Sequence, residues 1–193
     1  LKKLNRLGMQ VMGDMNWHAH CGIFTYPFQI SVKFKIPLLI WGETFWDISG
    51  MYDVNDMVEF TNRMRLEHNL RGFEWSDVIK NSNLKEKDML WAKFPTDNEY
   101  RKNGIRGIAV GNYFKWDPNE HTKMIKDKYN WKQSEKPFER TYRRMSNLDD
   151  RYENGIHDLL KFIKFGYGRA SDHASKDIRT GYMSRDEGVK MVK

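Results

Sequence analysis

Apolar and polar positions divide this chain into short elements. Residues 36–41 form a continuous apolar run, Ile-Pro-Leu-Leu-Ile-Trp, closed by Gly42-Glu43-Thr44. That pattern predicts a strand buried on both faces of a parallel sheet. Just before it, Ile23, Tyr26, Ile30 and Phe34 are spaced by three and four. They predict a helix over residues 22–35, with Pro27 in its first turns. Residues 7–12 read as an earlier strand that feeds an extended, histidine-rich segment, Trp17-His18-Ala19-His20-Cys21.

Beyond Gly50 the pattern turns helical. Asp53 can cap a helix running to about residue 70, with Gly72 just past its end. Ser82 or Asn83 opens a short helix closed by Pro95, and residues 105–113 alternate as a second strand. Asp117-Pro118-Asn119-Glu120 combines a cap, a first-turn proline and a carboxylate at the third position, and so starts a helix to about residue 128. Further helices are expected over 148–165, over 172–180 with Gly181 ending it, and from Ser184, where Glu187 completes a capping box. No internal repeat or linker interrupts the chain. Strand, crossover helix and strand make an α/β unit with a helix-rich extension behind it.

Composition narrows the class. The 193 residues are 39% hydrophobic and 14% aromatic, with 7 Trp, which excludes a disordered chain. The longest strongly apolar run is about a third of the roughly 20 residues that a membrane-spanning helix needs. One cysteine, Cys21, leaves no internal disulfide and suits a reducing, cytoplasmic setting. Lys+Arg outnumber Asp+Glu by 33 to 26, a formal charge of +7 that suits anionic partners. The basic clusters Lys2-Lys3, Lys33/Lys35 and Arg143-Arg144 are too short for a DNA-gripping arm, so small anions are favoured over a long nucleic acid.

Four groups of residues could carry chemistry. Ligands of open parallel sheets collect beyond the carboxyl ends of strands, which points to Gly42, Glu43 and Thr44. Here glycine admits a phosphate, threonine offers a hydroxyl, and Glu43 could hold Mg²⁺ or a substrate hydroxyl. His18 and His20, with Cys21, resemble metal ligands, but no second ligand pair completes a four-ligand zinc site. A hydrogen-bonding or polarising role is expected of one of the histidines instead. The third group is a Gly166-Tyr167-Gly168 loop running into a helix with Arg169, Asp172, His173, Lys176, Asp177 and Arg179, a pattern suited to an anion. The fourth, Glu139-Arg140-Thr141-Tyr142-Arg143-Arg144, could grip phosphate or carboxylate through arginine forks. On its own it reads as a solvated helix face.

Taken together, Trp17-His18-Ala19-His20-Cys21-Gly22-Ile23-Phe24, Ile36-Pro37-Leu38-Leu39-Ile40-Trp41-Gly42-Glu43, Pro137-Phe138-Glu139-Arg140-Thr141-Tyr142-Arg143-Arg144 and the stretch from Gly166 to Arg179 resemble the bacterial N-acetyl sugar amidotransferases. Asn112-Tyr113-Phe114-Lys115-Trp116-Asp117 and Asn119-Glu120-His121-Thr122-Lys123 extend the likeness, in collinear order, over nearly the whole chain. The resemblance implies an adenine-nucleotide-alpha-hydrolase-like fold, a PP-loop, Rossmann-like parallel sheet. Residues 1–50 would be the C-terminal part of its ATP-pyrophosphatase core, and 51–193 a mostly helical, family-specific region packed on that core.

It also implies a reaction. The oxygen of an N-acetyl amide attacks the α-phosphate of ATP, pyrophosphate leaves, and ammonia from a glutaminase partner displaces AMP to give an acetamidino group. Mg²⁺ would neutralise the charge building on the pyrophosphate. The substrate would be an acidic N-acetylated sugar or nucleotide sugar, such as those of lipopolysaccharide O-antigen or pseudaminic-acid-type sugars. Glu43, Asp172 and His173 are the expected catalytic residues. Gly42, Thr44, His18, His20, Arg143, Arg169, Lys176 and Arg179 are expected to bind sugar or nucleotide, with no resident metal site. One departure stands out: the family's Ser-Gly-Gly-x-Asp-Ser phosphate loop is not among these 193 residues. With Leu1 in place of an initiator Met and a last helix running to Lys193, a segment of a longer protein is expected. A PP-loop tRNA-modifying enzyme and a non-catalytic glycan- or partner-binding module remain as alternatives.

Overall fold

The first two elements are both helices. α1 (Lys2–Met12) ends where Gly13 turns left-handed at φ 61°. α2 (Trp17–Phe34) then buries Trp17, Cys21, Thr25, Phe28 and Ser31, a stripe spaced by fours and threes. The strand expected over residues 7–12 is therefore helical, and the histidine segment expected to be extended forms the first turn of α2. Pro27 sits in the interior of α2 rather than in its first turns. Burial of a whole helix face outweighs the one backbone hydrogen bond that a proline removes.

The structure is a computed structural model that describes residues 1–45, 55, 58–145, 152 and 154–192. The start of the helix expected from Asp53, the start of the one expected from residue 148, and the division expected at residue 50 lie outside the described residues. The chain forms two compact units, Leu1–Trp116 and Asp117–Lys193. Among the described residues no helix is long and apolar enough to cross a membrane.

In the first unit, β1 (Leu38–Trp41) pairs in parallel with β2 (Arg106–Ala109), Leu38 facing Arg106 and Trp41 facing Ala109. The chain is thus mixed α/β, mostly helical, with a small parallel sheet among the described residues. Leu39 and Trp41 turn towards an aromatic core with Phe24 and Phe28 of α2, Phe60, Phe94 and Tyr100. Phe60 stacks on Phe28, Phe24 and Trp41 at 5.0, 5.4 and 5.4 Å. Leu38 and Ile40, on the other face, are 44% and 60% exposed, so β1 buries one face and not both. Gly107 makes room for this stack: a Cβ there would lie 2.9 Å from both Phe60 Cβ and Trp41 Cζ3.

Among the described residues three short α-helices lie between β1 and β2. α3 (Asn62–Met64), capped by Thr61, passes into a π-helical turn, Arg65–Asn69. α4 (Trp75–Lys80) has a Glu74/Asp77 capping box. Where a helix from Ser82 or Asn83 is expected, the chain makes two 3₁₀ turns, Glu86–Asp88 and Leu90–Ala92. α5 (Asp97–Lys102) is capped by Thr96 and Glu99.

The second unit is helical. α6 (Pro118–Tyr129) starts as its signal requires, Asp117 accepting hydrogen bonds from Asn119 N and Glu120 N. α7 (Asn154–Phe165), α8 (Arg169–Arg179) and α9 (Arg185–Val192) follow. Ser184 and Glu187 form the reciprocal box expected at the start of α9. α9 approaches α8 closely because Gly188 faces Ile178, whose Cδ1 would be only 2.7 Å from a Cβ at that position. The segment between α6 and α7 carries Arg140 to Arg143 outside any helix or strand, which corrects the helix-face reading of this cluster.

Gly107→Val should destabilise the protein by about 2–3 kcal/mol through overpacking of the aromatic stack. Urea unfolding followed by tryptophan fluorescence checks this; an unchanged midpoint would mean the stack is not tightly packed there.

Candidate functional site

α8 presents Arg169, His173 and Asp177 at intervals of four, so that all three lie on one face. That face meets the irregular segment that holds Arg140, Thr141, Tyr142 and Arg143. Asp177 is buried and accepts hydrogen bonds from the Tyr142 hydroxyl, the Arg143 guanidinium and, at 3.1 Å, the amide of Asn119 on α6. Asp158 of α7 is buried as well. It takes Arg140 Nε at 2.7 Å, and Nε and Nη2 of Arg169 in a fork at 3.0–3.1 and 2.8 Å. Two carboxylates thus tie one loop to three helices.

Protonation follows from this packing. Burial opposes ionisation of Asp158, but the Arg169 and Arg140 hydrogen bonds outweigh it and hold its pKa at about 2. Asp177 is lowered for the same reason, with Tyr142, Arg143 and Asn119 overcoming burial. His173 moves the other way. Burial first, then Arg143 and Arg169, disfavour its cation and bring its pKa to about 4. His173 Nδ1 lies 2.6 Å from Thr141 Oγ1, which also accepts from Arg143 N. Donation from the Thr141 hydroxyl to Nδ1 would satisfy both groups and leave the imidazole proton on Nε2, an assignment made from the network. A neutral His173 can donate a hydrogen bond at pH 7 but cannot act as a cationic acid there.

The other expected site residues are placed as follows. Asp172 pairs with Lys161. Arg179 donates to Ser175 Oγ at 2.6 Å, and Lys176 is partly exposed on α8. In the first unit, Gly42 and Glu43 are exposed just past β1, with Thr44 half-buried beside them. Gly111 N donates to Glu43 O at 2.8 Å, and a Cβ on Gly111 would lie 2.4 Å from Thr44 Cβ. The carboxyl ends of the two strands are therefore locked side by side. A cavity of about 440 Å³ opens there, lined by Thr44, Asn112, Tyr113, Phe114, Lys115 and Trp116 along with Gly111. His18 and His20, now on a helix, point about 200° apart around its axis. Among the described residues no group of three or more His, Cys, Asp or Glu converges. Cys21 is fully buried and its thiol is pushed up to about 12 by burial, so it is no thiolate nucleophile.

Asp158 and Thr141 are functional-site candidates that the spacing of motifs does not single out. The available signal for Asp158 is that it is the one acid of α7, set among Ile156, Leu159 and Leu160; such an acid asks for a cation.

Asp158→Asn should cost about 3 kcal/mol, because it strands two guanidinium groups. Glu67→Gln, at the exposed Arg63–Glu67 pair, should cost under about 1 kcal/mol. Chemical denaturation of the two variants checks the contrast. Acid should unfold this cage in two stages. From pH 6.5 down to about 4 the unfolded chain takes up a proton that folded His173 refuses, so stability falls. From 3.8 down to about 2 the same holds for Asp158. His173→Gln should flatten the upper stage alone in a pH series of melting temperatures.

No curated protein matches the chain. Over residues 139–193, the stretch that holds Arg140, Asp158, Arg169, His173 and Asp177, the chain is similar to the family described as LPS biosynthesis protein WbpG-like, C-terminal domain.

Proposed function

We propose that the chain is part of an ATP-dependent amidotransferase of lipopolysaccharide biosynthesis, converting the N-acetyl group of a sugar to an acetamidino group. The observation that carries this reading is the match of residues 139–193 to a lipopolysaccharide biosynthesis family. The amidotransferase chemistry adds the wider resemblance of the motifs at residues 17–24, 36–43, 137–144 and 166–179.

The strand ends of the first unit are compatible with a nucleotide. Parallel sheets collect ligands at that edge, and the cavity there offers aromatic faces with Thr44, Asn112 and Lys115 beside them. In this reading ATP lies across the Gly42–Thr44 turn, within a PP-loop, Rossmann-like core. Mg²⁺ is usually held by one or two carboxylates together with substrate phosphates, and exposed Glu43 can supply one. When bound, the ion would neutralise charge on the departing pyrophosphate. The amide oxygen of the sugar forms a bond to the α-phosphorus as the bond to pyrophosphate breaks. Ammonia, supplied by a glutaminase partner, then adds to the imidate carbon and AMP leaves with the oxygen.

A second reading, a non-catalytic module that binds a glycan or a partner, is favoured by one observation. Arg143 and Asp172 are each paired one to one inside the second unit, which removes much of their charge from a ligand. The experiment that separates the two uses the intact gene product that carries this chain, with ATP, Mg²⁺, ammonia and a panel of acidic N-acetylated sugars. AMP release that requires both sugar and ammonia is expected, and Glu43→Gln should lower kcat by about a hundredfold. Sugar binding without AMP release for any member of the panel would leave the module reading in its place.

A further inference from the structure

α7 and the start of α8 enclose a second cavity, about 420 Å³, that the reaction above does not use. Its walls are of two kinds. Leu159, Phe162, Tyr167 and Val192 line an apolar side. At the other side stand Arg140 and Arg169, one from the irregular segment and one from α8, both held by the buried carboxylate of Asp158. Among the described residues two cations share one buried anion here, a net charge of +1 at the cavity wall before the exposed Glu139 is counted. Glu139 approaches Arg140 at 3.6 Å, but its side chain is 93% exposed and solvent screens it.

Among the described residues the guanidinium groups are fixed but not saturated. Arg140 uses Nε on Asp158, and Arg169 uses Nε and Nη2. Five N–H groups per guanidinium leave further donors on each. Gly155, at the second position of α7, lines the cavity beside them, and even a Cβ there would meet Arg140 Nη1 only in van der Waals contact at 3.7 Å. A carboxylate can take two parallel N–H bonds from such a fork. The apolar wall suits a ligand whose body carries CH faces and a methyl group.

We propose that this cavity binds the carboxylate of a sugar acid, with the pyranose ring and its acyl methyl group lying on Leu159, Phe162 and Tyr167. The sugar identity of the body rests on the reading under Proposed function; the carboxylate rests on Arg140 and Arg169 alone.

The test is a calorimetric titration of the intact protein with three probes: an N-acetylated nonulosonic acid, the neutral amide of the same sugar, and inorganic phosphate. The acid should bind at least tenfold more tightly than its amide and than phosphate. Leu159→Trp fills the cavity from a position 57% exposed and touches none of the ion pairs. It should weaken the acid at least tenfold with the melting temperature unchanged, and Arg140→Lys should weaken the acid while sparing the amide. Equal binding of acid and amide, phosphate as tight as the acid, or an unaltered Leu159→Trp would each overturn the proposal. The two readings fail separately. Selective binding of the acid by a protein that releases no AMP would sink the amidotransferase and keep this cavity. An active enzyme whose KM for the sugar is unmoved by Leu159→Trp would do the reverse.

Discussion

A carboxylate taken out of water must find a cation, and the second unit is organised around two that do. Asp158 and Asp177 are both buried. The effective desolvation penalty is several kcal/mol per ion, offset only when the geometry supplies charge and hydrogen bonds together. Arg140 and Arg169 do this for Asp158; Arg143, Tyr142 and Asn119 do it for Asp177. The segment that carries Arg140 to Arg143 lies outside any helix or strand and folds back on itself through Phe138 N to Arg143 O and Ser134 N to Arg144 O. Its arginine side chains then tie it to α7 and α8.

The same constraint sets the chemistry of its neighbours. Cations drawn in to serve the carboxylates surround His173 and keep it neutral. They also give the segment most of its fixed charge, and what remains for a ligand is concentrated where Arg140 and Arg169 edge the cavity against α7. The first unit contains a smaller version. Arg65 is buried with its guanidinium 4.8 Å from the Phe94 ring centroid and is paired with Glu74. Thr25 stands within 3.5 Å of Arg65 Nη1, next to the buried thiol of Cys21. Burial governs that thiol more strongly than the cation does, which is why it is inert.

The two units bear differently on function. In the first, Gly111 lets β2 end against the Glu43–Thr44 backbone, so a crevice forms at the strand ends from backbone proximity alone. In the second, the features are built from side-chain charge, and the match to a lipopolysaccharide biosynthesis family falls there.

Local signals were legible where a few adjacent residues settle the matter. Asp117-Pro118-Asn119-Glu120 starts α6, Ser184 with Glu187 starts α9, and Gly181 at φ 81° ends the turn after α8. The apolar run at β1 and the alternation at β2 announce strands, and their parallel pairing follows from the helix-rich crossover between them. Where packing decides, the reading failed: residues 7–12 and the histidine segment are helical because burying Leu4, Trp17 and Cys21 in one cluster outweighs weak local preference. The candidate site divides in the same way. The Gly-x-Gly entry to α8 and its charged face are visible in sequence, but the partners of Asp158 and Asp177 are not. Arg140 is 18 residues from Asp158, and Arg143 is 34 from Asp177. The sequence by itself determined the starts of α6 and α9, the two strands and the supply of arginines. Only the tertiary structure decided which carboxylate each arginine neutralises, because that choice is made by desolvation, which exists only once the chain has folded around them.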